Sequence, residues 1–156
     1  MRIRVANAIR QTGDEFVFEC SEQLERFEYG GRMLAFSEPV TVKGTYVFDG
    51  KAFTVSANAE AALLTECALC GKSFTERIAV AFTERFVKDQ ADSDDDETYH
   101  YTGEELDLGK PFLDNLLLEL PIASVCRKDC KGLCPVCGAD RNVTECHCTE
   151  TEAREN

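Results

Sequence analysis

The stretch from Glu15 to Phe86 alternates apolar and polar residues with a period of two. The alternation defines four segments, whose apolar positions are Phe16, Phe18 and Cys20; Val40 and Val42; Phe53, Val55, Ala57 and Ala59; and Ile78, Val80, Phe82 and Phe86. This period is typical of strands that bury one face. Between the second and third segments, the dipeptide Asp49-Gly50 predicts a two-residue hairpin turn with positive φ at both residues. The pattern therefore predicts an antiparallel sheet.

Two later segments break this alternation. The stretch from Gln90 to Asp107 predicts a solvated acidic connector, because it combines few apolar residues with Asp92, Asp94, Asp95, Asp96, Glu97, Glu104, Glu105 and Asp107. The acidic run lacks the regular ligand spacing of a calcium-binding loop. The following stretch places leucines at helical spacing between two prolines, at Pro111, Leu113, Leu116, Leu117, Leu120 and Pro121. It predicts one amphipathic helix that packs on the sheet.

The charge of the chain narrows the range of partners. Its 156 residues include 17 Lys and Arg against 29 Asp and Glu, a formal net charge of −12. Such a chain repels polyanions overall, which argues against nonspecific coating of nucleic acids but leaves room for a local basic patch. The chain has no apolar run of membrane-spanning length and no secretory pattern at Met1 to Arg10. We therefore expect a cytoplasmic protein.

Cysteines carry the strongest chemical signal. Eight of the nine occur as closely spaced pairs, namely Cys67 and Cys70, Cys126 and Cys130, Cys134 and Cys137, and Cys146 and Cys148. Disulfides rarely persist in a reducing cytosol, and nine cysteines cannot all pair within one chain, so metal ligation is favoured over disulfides. The short spacings favour zinc, although iron–sulfur ligation remains open. Cys20 is in phase with Phe16 and Phe18, which indicates a buried apolar role rather than a ligand.

The spacing favours two structural zinc ions, each held by four thiolates. The local set is Cys134, Cys137, Cys146 and Cys148. The second set would staple the C-terminal segment to the sheet and consists of Cys67, Cys70, Cys126 and Cys130. A partition that groups Cys126 and Cys130 with the pair at Cys134 remains an alternative, as does ligation by His147. Four protein ligands leave no open position for a substrate, and no catalytic constellation accompanies them, so we expect no enzyme.

These features define the predicted architecture. The fold class is α+β, an antiparallel β-rich sheet domain with one packed amphipathic helix and a C-terminal zinc ribbon. The β-rich domain covers residues 1–124 and includes the acidic loop 90–107 and the helix 111–120. The zinc-binding segment covers residues 125–150 and packs on the sheet through Cys67 and Cys70.

The cysteine motifs resemble those of the YceD family, bacterial proteins linked to accumulation of the large-subunit ribosomal RNA. The resemblance runs from Val40 to Cys148 and is carried by Cys67-Ala68-Leu69-Cys70, Phe74, the leucine helix before Pro121, Cys126, the string Cys130-Lys131-Gly132-Leu133-Cys134-Pro135-Val136-Cys137-Gly138, Asn142 and Cys146-His147-Cys148. The string is typical of the zinc-rich branch of the family. The resemblance also supports the joining of Cys67 and Cys70 to Cys126 and Cys130. The family commonly has Arg where this chain has Leu69.

The resemblance implies a non-enzymatic factor in ribosome biogenesis that engages ribosomal RNA or an assembly intermediate. A local cluster of basic residues between the C-terminal cysteines supports RNA contact, and it consists of Arg127, Lys128, Lys131 and Arg141. An alternative explanation is that these side chains balance the charge of the thiolates. The alternative function is a zinc-stapled acidic adaptor that binds a basic ribosomal protein without direct RNA contact, which the net charge favours.

Overall fold

The computed structural model describes residues 1–88 and 98–148. Its elements in chain order are β1 (Arg2–Arg4), α1 (Ala6–Arg10), β2 (Glu15–Glu22), β3 (Phe27–Tyr29), β4 (Arg32–Phe36), β5 (Val40–Phe48), β6 (Ala52–Glu66), β7 (Ser73–Lys88), β8 (Tyr99–Tyr101), β9 (Glu105–Asp107) and α2 (Gly109–Glu119). The antiparallel, β-rich character is as predicted. No helix within the described ranges is long and apolar enough to cross a membrane.

The centre of the main sheet is the long hairpin of β6 and β7, which pair antiparallel from Ala52↔Val87 to Glu66↔Ser73. On the other side of β6, β5 pairs with its first half and β4 with its second half, and β2 and β3 extend the sheet outward. The β6–β7 connection carries Cys67 and Cys70. These two cysteines therefore lie at the tip of the central hairpin.

The turn between β5 and β6 differs from its prediction. The hairpin exists, with Phe48 paired to Phe53, but only Gly50 has a positive φ, of 96°. Asp49 instead accepts hydrogen bonds through its carboxylate from the N–H groups of Lys51 and Ala52, both at 2.8 Å. This side-chain contact stabilises a longer turn of residues 49–51, so the predicted two-residue turn is wrong.

The acidic connector was only partly foreseen. Asp92, Asp94, Asp95, Asp96 and Glu97 lie outside the described residues. Residues 99–107 were expected to remain irregular, but they contain β8, which runs parallel to β7, and β9, which pairs antiparallel with β1. The reason is apolar anchoring, since Tyr101 and Leu106 are buried in the core. The prediction of an irregular acidic loop is therefore wrong for these residues.

Two helices are present in the described chain, whereas one was predicted. The short α1 was not foreseen, and it buries Ala8. The predicted helix 111–120 corresponds to α2, which begins two residues earlier and ends one residue sooner. Its most buried side chains are Phe112 and Leu116, which pack in one core with Phe53 and Phe86 of the sheet. After α2 the chain turns back toward the tip of the β6–β7 hairpin.

Candidate metal centres

The first cluster of thiols joins two distant parts of the chain. Cys67 and Cys70 come from the β6–β7 connection, and Cys126 and Cys130 come from the segment after α2. The sulfur atoms all lie within 4.8 Å of one another. The Sγ atoms of Cys67 and Cys130 are 3.8 Å apart, as are those of Cys70 and Cys126. Cys67 is buried and the other three are half-buried.

The second cluster is local to the C-terminal segment. It contains the four cysteines Cys134, Cys137, Cys146 and Cys148, whose sulfur atoms also lie within 4.8 Å of one another. The Sγ atoms of Cys137 and Cys146 are 3.6 Å apart. Cys134 is buried and Cys146 half-buried, while Cys137 and Cys148 are exposed. This centre is thus closer to solvent than the first.

Both clusters fit one tetrahedral ion each. An ion with four thiolate ligands at about 2.3 Å places neighbouring sulfurs at about 3.8 Å, the edge of a tetrahedron of that size. The observed separations of 3.6 and 3.8 Å match this edge. A disulfide needs about 2.05 Å between sulfurs, and all nine cysteines are free thiols. The geometry therefore suits metal ligation by the two sets of four.

The grouping follows the favoured partition of the sequence analysis. The alternative, in which Cys126 and Cys130 share an ion with Cys134 and Cys137, does not match the sulfur positions. His147 is exposed and belongs to neither cluster in the described chain. Cys20 also lies outside both clusters. It is half-buried against the core, as predicted, and burial raises the pKa of its thiol.

Each cluster is built around the same tight turn. In the first turn, Cys67 donates its N–H to the carbonyl of Lys72 (2.9 Å) and Gly71 donates to the carbonyl of Cys67 (2.8 Å). The second turn repeats both bonds at equivalent positions, from Cys134 to Ala139 (2.8 Å) and from Gly138 to Cys134 (2.9 Å). The two glycines have positive φ values of 70° and 72°, a conformation that favours glycine. The Cys-x-x-Cys-Gly pattern explains both turns.

The first cysteine of each motif, Cys67 or Cys134, is favoured in its thiolate form. The sulfur of Cys67 accepts hydrogen bonds from the backbone N–H groups of Cys126, Cys70 and Leu69. These bonds lower the pKa of Cys67 to about 6, and the bond from Cys126 has the largest effect. The N–H groups of the second turn likewise lower the pKa of Cys134 to about 6. Hydrogen bonds to a charged sulfur stabilise it, and the thiolate is the form that binds metal.

In each cluster one further thiol is held in its neutral form when no cation is near. Burial and the neighbouring sulfurs raise the pKa of Cys126 to about 12. The hydrogen bonds and charges of Cys146 and Cys137 raise the pKa of Cys148 to about 12. Four sulfurs this close cannot all carry negative charge alone, because like charges raise one another's pKa. A divalent cation reverses this effect and deprotonates its thiol ligands.

Hydrogen bonds dock the C-terminal segment onto the hairpin tip beside the first cluster. The N–H of Ala68 donates to the carbonyl of Ser124 (2.8 Å), and the N–H of Leu133 donates to the carbonyl of Leu69 (2.9 Å). Gly132 packs against this tip so closely that an added Cβ would lie 2.9 Å from the Leu69 oxygen. The hydroxyl of buried Ser124 donates to Glu76 of β7 at 2.6 Å. The contacts with Ser124 and Glu76 were not foreseen, because the sequence pattern carries no signal for them.

The basic residues of this segment do not form one free patch. Arg127 donates to the side-chain oxygen of Asn142 at 2.7 Å, and Arg141 donates to the backbone carbonyl of Lys131 at 2.6 and 3.0 Å. These two arginines therefore support the local structure. Lys128 and the ammonium of Lys131 are exposed and have no side-chain partner among the described residues.

The C-terminal segment contains little regular structure. Its described part, up to Cys148, has turns and one isolated antiparallel bridge, between Leu133 and Asp140. The predicted zinc ribbon is therefore not confirmed. The thiol clusters and the bonds to the hairpin tip organise the segment instead. Each cluster offers four thiolates and would be closed around its ion.

Comparisons with known proteins agree with this pattern. The sequence model of the family described as "Large ribosomal RNA subunit accumulation protein YceD" matches residues 55–156. An uncharacterized protein of Mycobacterium tuberculosis is 40% identical over 88 residues, which cover 54% of this chain and 42% of that protein. An uncharacterized Mycobacterium leprae protein is 28% identical over 120 residues, which cover 74% of this chain and 49% of that protein.

A plant protein also matches the chain over a shorter segment. It is the maize "Large ribosomal RNA subunit accumulation protein YCED homolog 1, chloroplastic", 40% identical over 60 residues that cover 36% of this chain and 20% of that protein. The chain thus spans less than half the length of each of these curated relatives. No solved structure matches.

Proposed function

The chain belongs to the YceD family, and from that premise we propose that it is a non-enzymatic, zinc-binding cytoplasmic factor that supports accumulation of large-subunit ribosomal RNA. The observation that carries the proposal is the pair of four-thiolate clusters within the segment that the family model matches. The ribosomal role rests on the name of the family and of its plant relatives. Thiols of this kind remain reduced in the cytoplasm.

Zinc is the ion that best suits both clusters. Thiolates are soft ligands, and four of them in tetrahedral spacing select zinc among the common divalent ions. The sulfurs of each set lie within 4.8 Å of one another, which leaves room for one ion. An iron–sulfur cluster would place several irons and sulfides among the same cysteines and would need wider spacing. We therefore propose one zinc ion in each cluster.

The zinc ions would act as structural elements. Four protein ligands fill a tetrahedral site, so a bound zinc would have no position for the water or substrate that hydrolysis requires. The first ion would connect the hairpin tip to the segment after α2, and the second would close the C-terminal loop. This arrangement presents the segment in one shape on the end of the sheet. A binding factor needs such a rigid surface, whereas an enzyme would also need a reactive group.

The exposed lysines beside the clusters are the best candidates for contact with RNA phosphates. Lys128 and Lys131 are exposed, and Lys72 at the hairpin tip lies close enough to Asp140 to lower the pKa of that carboxyl group. The hydrogen bonds that Asp140 accepts from Asn142 are the larger cause of that shift. All three lysines thus lie near the junction of the two clusters. Phosphate contacts of this kind need positive charge without base specificity.

Replacing Lys128 and Lys131 together by Gln is expected to weaken binding of the purified chain to large-subunit ribosomal RNA. The salt dependence of binding should also fall by about two units of logarithmic slope, one for each lost phosphate contact. The measurement is RNA affinity at a series of salt concentrations. The zinc content should stay unchanged, since neither ammonium group has a hydrogen-bond or ion-pair partner in the described part of the chain.

A matched control is Lys43→Gln with Lys51→Gln, which removes the same charge from β5 and from the turn that follows it. Lys43 forms an ion pair with Glu19 at 3.1 Å, far along the chain from the clusters. We expect this control to keep the salt slope of the original chain. If both double variants bind RNA equally well, direct contact by these lysines is wrong. Retained binding to a basic ribosomal protein would then support the acidic adaptor instead.

A further inference from the structure

Asn142 occupies the junction between the two thiol clusters. It belongs to the loop between Cys137 and Cys146, two residues of the second cluster. Its amide nitrogen nevertheless reaches the first cluster, where it lies 3.5 Å from the Sγ of Cys130. Among the described residues, it is the side chain that links the loop of one cluster to a sulfur of the other.

The amide of Asn142 is held in one orientation. Its oxygen accepts hydrogen bonds from the backbone N–H of Lys131 (2.9 Å) and from the guanidinium of Arg127 (2.7 Å). Its nitrogen donates to the carboxylate of Asp140 at 2.6 Å, and the same carboxylate accepts the backbone N–H of Asn142 at 2.9 Å. With its oxygen used twice as an acceptor, the amide can present only its nitrogen to the thiolate.

The N–H···S contact favours the metal-bound form of the first cluster. A thiolate that accepts a hydrogen bond is stabilised and oriented, and loss of such outer contacts typically lowers metal affinity by about 10- to 100-fold. The donor is in place only when the loop that carries it is ordered. Metal in the second cluster orders this loop, because Cys137 and Cys146 lie at its two ends.

From these contacts we propose that the two clusters bind metal cooperatively and that Asn142 is the residue that couples them. Metal in the second cluster orders the loop, and the ordered loop then strengthens ligation by Cys130. By linkage, metal in the first cluster strengthens the second by the same factor. The proposal rests on the proposed function, because it requires zinc in both clusters. It adds that each bound ion strengthens the binding of the other, with Asn142 as a positioning residue rather than a ligand.

A double-mutant cycle tests this coupling in the full chain. The changes are Asn142→Ala and the disabling of the second cluster by Cys137→Ser with Cys148→Ser, and the measurement is zinc affinity of the first cluster by chelator competition. We expect Asn142→Ala alone to lower that affinity about 10- to 100-fold. Disabling the second cluster should have a similar effect, but it should add little once Asn142 is already Ala, since both act through one contact.

Two controls separate coupling from general loosening. Asn58→Ala makes the same chemical change at an exposed position of β6 and should leave both zinc affinities unaltered. Arg141→Ala removes bonds between the same loop and Lys131 but touches no sulfur. In cadmium-substituted protein, Asn142→Ala should shift the NMR resonance of the first ion through loss of the N–H···S bond. Arg141→Ala should shift it much less.

The outcomes distinguish this proposal from the one on which it rests. Two zinc ions with strictly additive effects in the cycle would overturn the coupling but leave the zinc sites standing. A chain that binds no zinc in either cluster would overturn the proposed function itself. If the variant with Cys137→Ser and Cys148→Ser does not fold, the cadmium resonances of Asn142→Ala test the role of Asn142 instead. An unshifted first resonance then contradicts the role of Asn142.

Discussion

Replacing Cys67 by Ser is expected to detach the C-terminal segment from the tip of the β6–β7 hairpin. The change removes a thiol of the first cluster that is 3% exposed and whose sulfur receives hydrogen bonds from three backbone N–H groups. Structural zinc contributes about 10–16 kcal/mol in small metal-binding domains. Loss of one ligand should therefore lower the free energy of unfolding by roughly 5 kcal/mol, a large part of the stability of an ordinary domain. Chemical denaturation followed by circular dichroism measures the change.

The comparison is with Cys134→Ser, which removes a similarly buried thiol from the second cluster. That cluster belongs to one contiguous segment, so its loss should disorder the loop up to Cys148 and weaken the first cluster without detaching it. The sheet should remain folded. Cys20→Ser, outside both clusters, serves as the control for the chemical change. Equal loss of stability in the Cys67 and Cys134 variants would contradict the account, because only the first cluster joins distant parts of the chain.

Removal of metal from the unaltered chain is expected to disorder the C-terminal segment and to leave the sheet intact. The core that contains Phe53, Phe86 and Phe112 buries its side chains without help from the clusters. The segment after α2 has few buried apolar side chains of its own, so its order depends on the thiolates being neutralised. A strong chelator at neutral pH supplies the test.

Hydrogen exchange resolves this prediction residue by residue. The amides of Leu133, Cys134 and Arg141 donate hydrogen bonds within the C-terminal segment or to the hairpin tip, and they should lose protection after chelation. The amides in the paired stretch of β6 and β7 should keep theirs. Added zinc should restore the lost protection. Protection of the C-terminal amides that persists without metal would show that the segment folds independently of its ions.

The local alternation of apolar and polar residues predicted the long central strands better than the short strands. The period-two positions Phe53, Val55 and Ala57 are buried, because alternation reflects a local property of strands. The second half of β6 breaks the pattern, since Ala61, Ala62 and Leu63 are all buried in succession. Short strands such as β9 depend on pairing with β1, about a hundred residues away in the chain, so no local pattern could indicate them.

The thiol clusters were foreseeable for the same reason. A Cys-x-x-Cys-Gly turn is local, and two such turns with two further pairs divide naturally into sets of four. The surrounding contacts were not foreseeable, because they depend on the folded arrangement. A basic residue in the sequence signals charge, yet the guanidinium of Arg141 is engaged by a backbone carbonyl. The hydrogen bond between Asn142 and Cys130 likewise requires the loop to fold back.

The metal content of the purified full chain tests whether each cluster holds one zinc ion. Native mass spectrometry, combined with elemental analysis of the same sample, gives both the number of ions per chain and their identity. We expect two zinc ions per chain, one for each set of four cysteines. One zinc per chain with thiols of the first cluster open to alkylation, or iron together with inorganic sulfide, would contradict it.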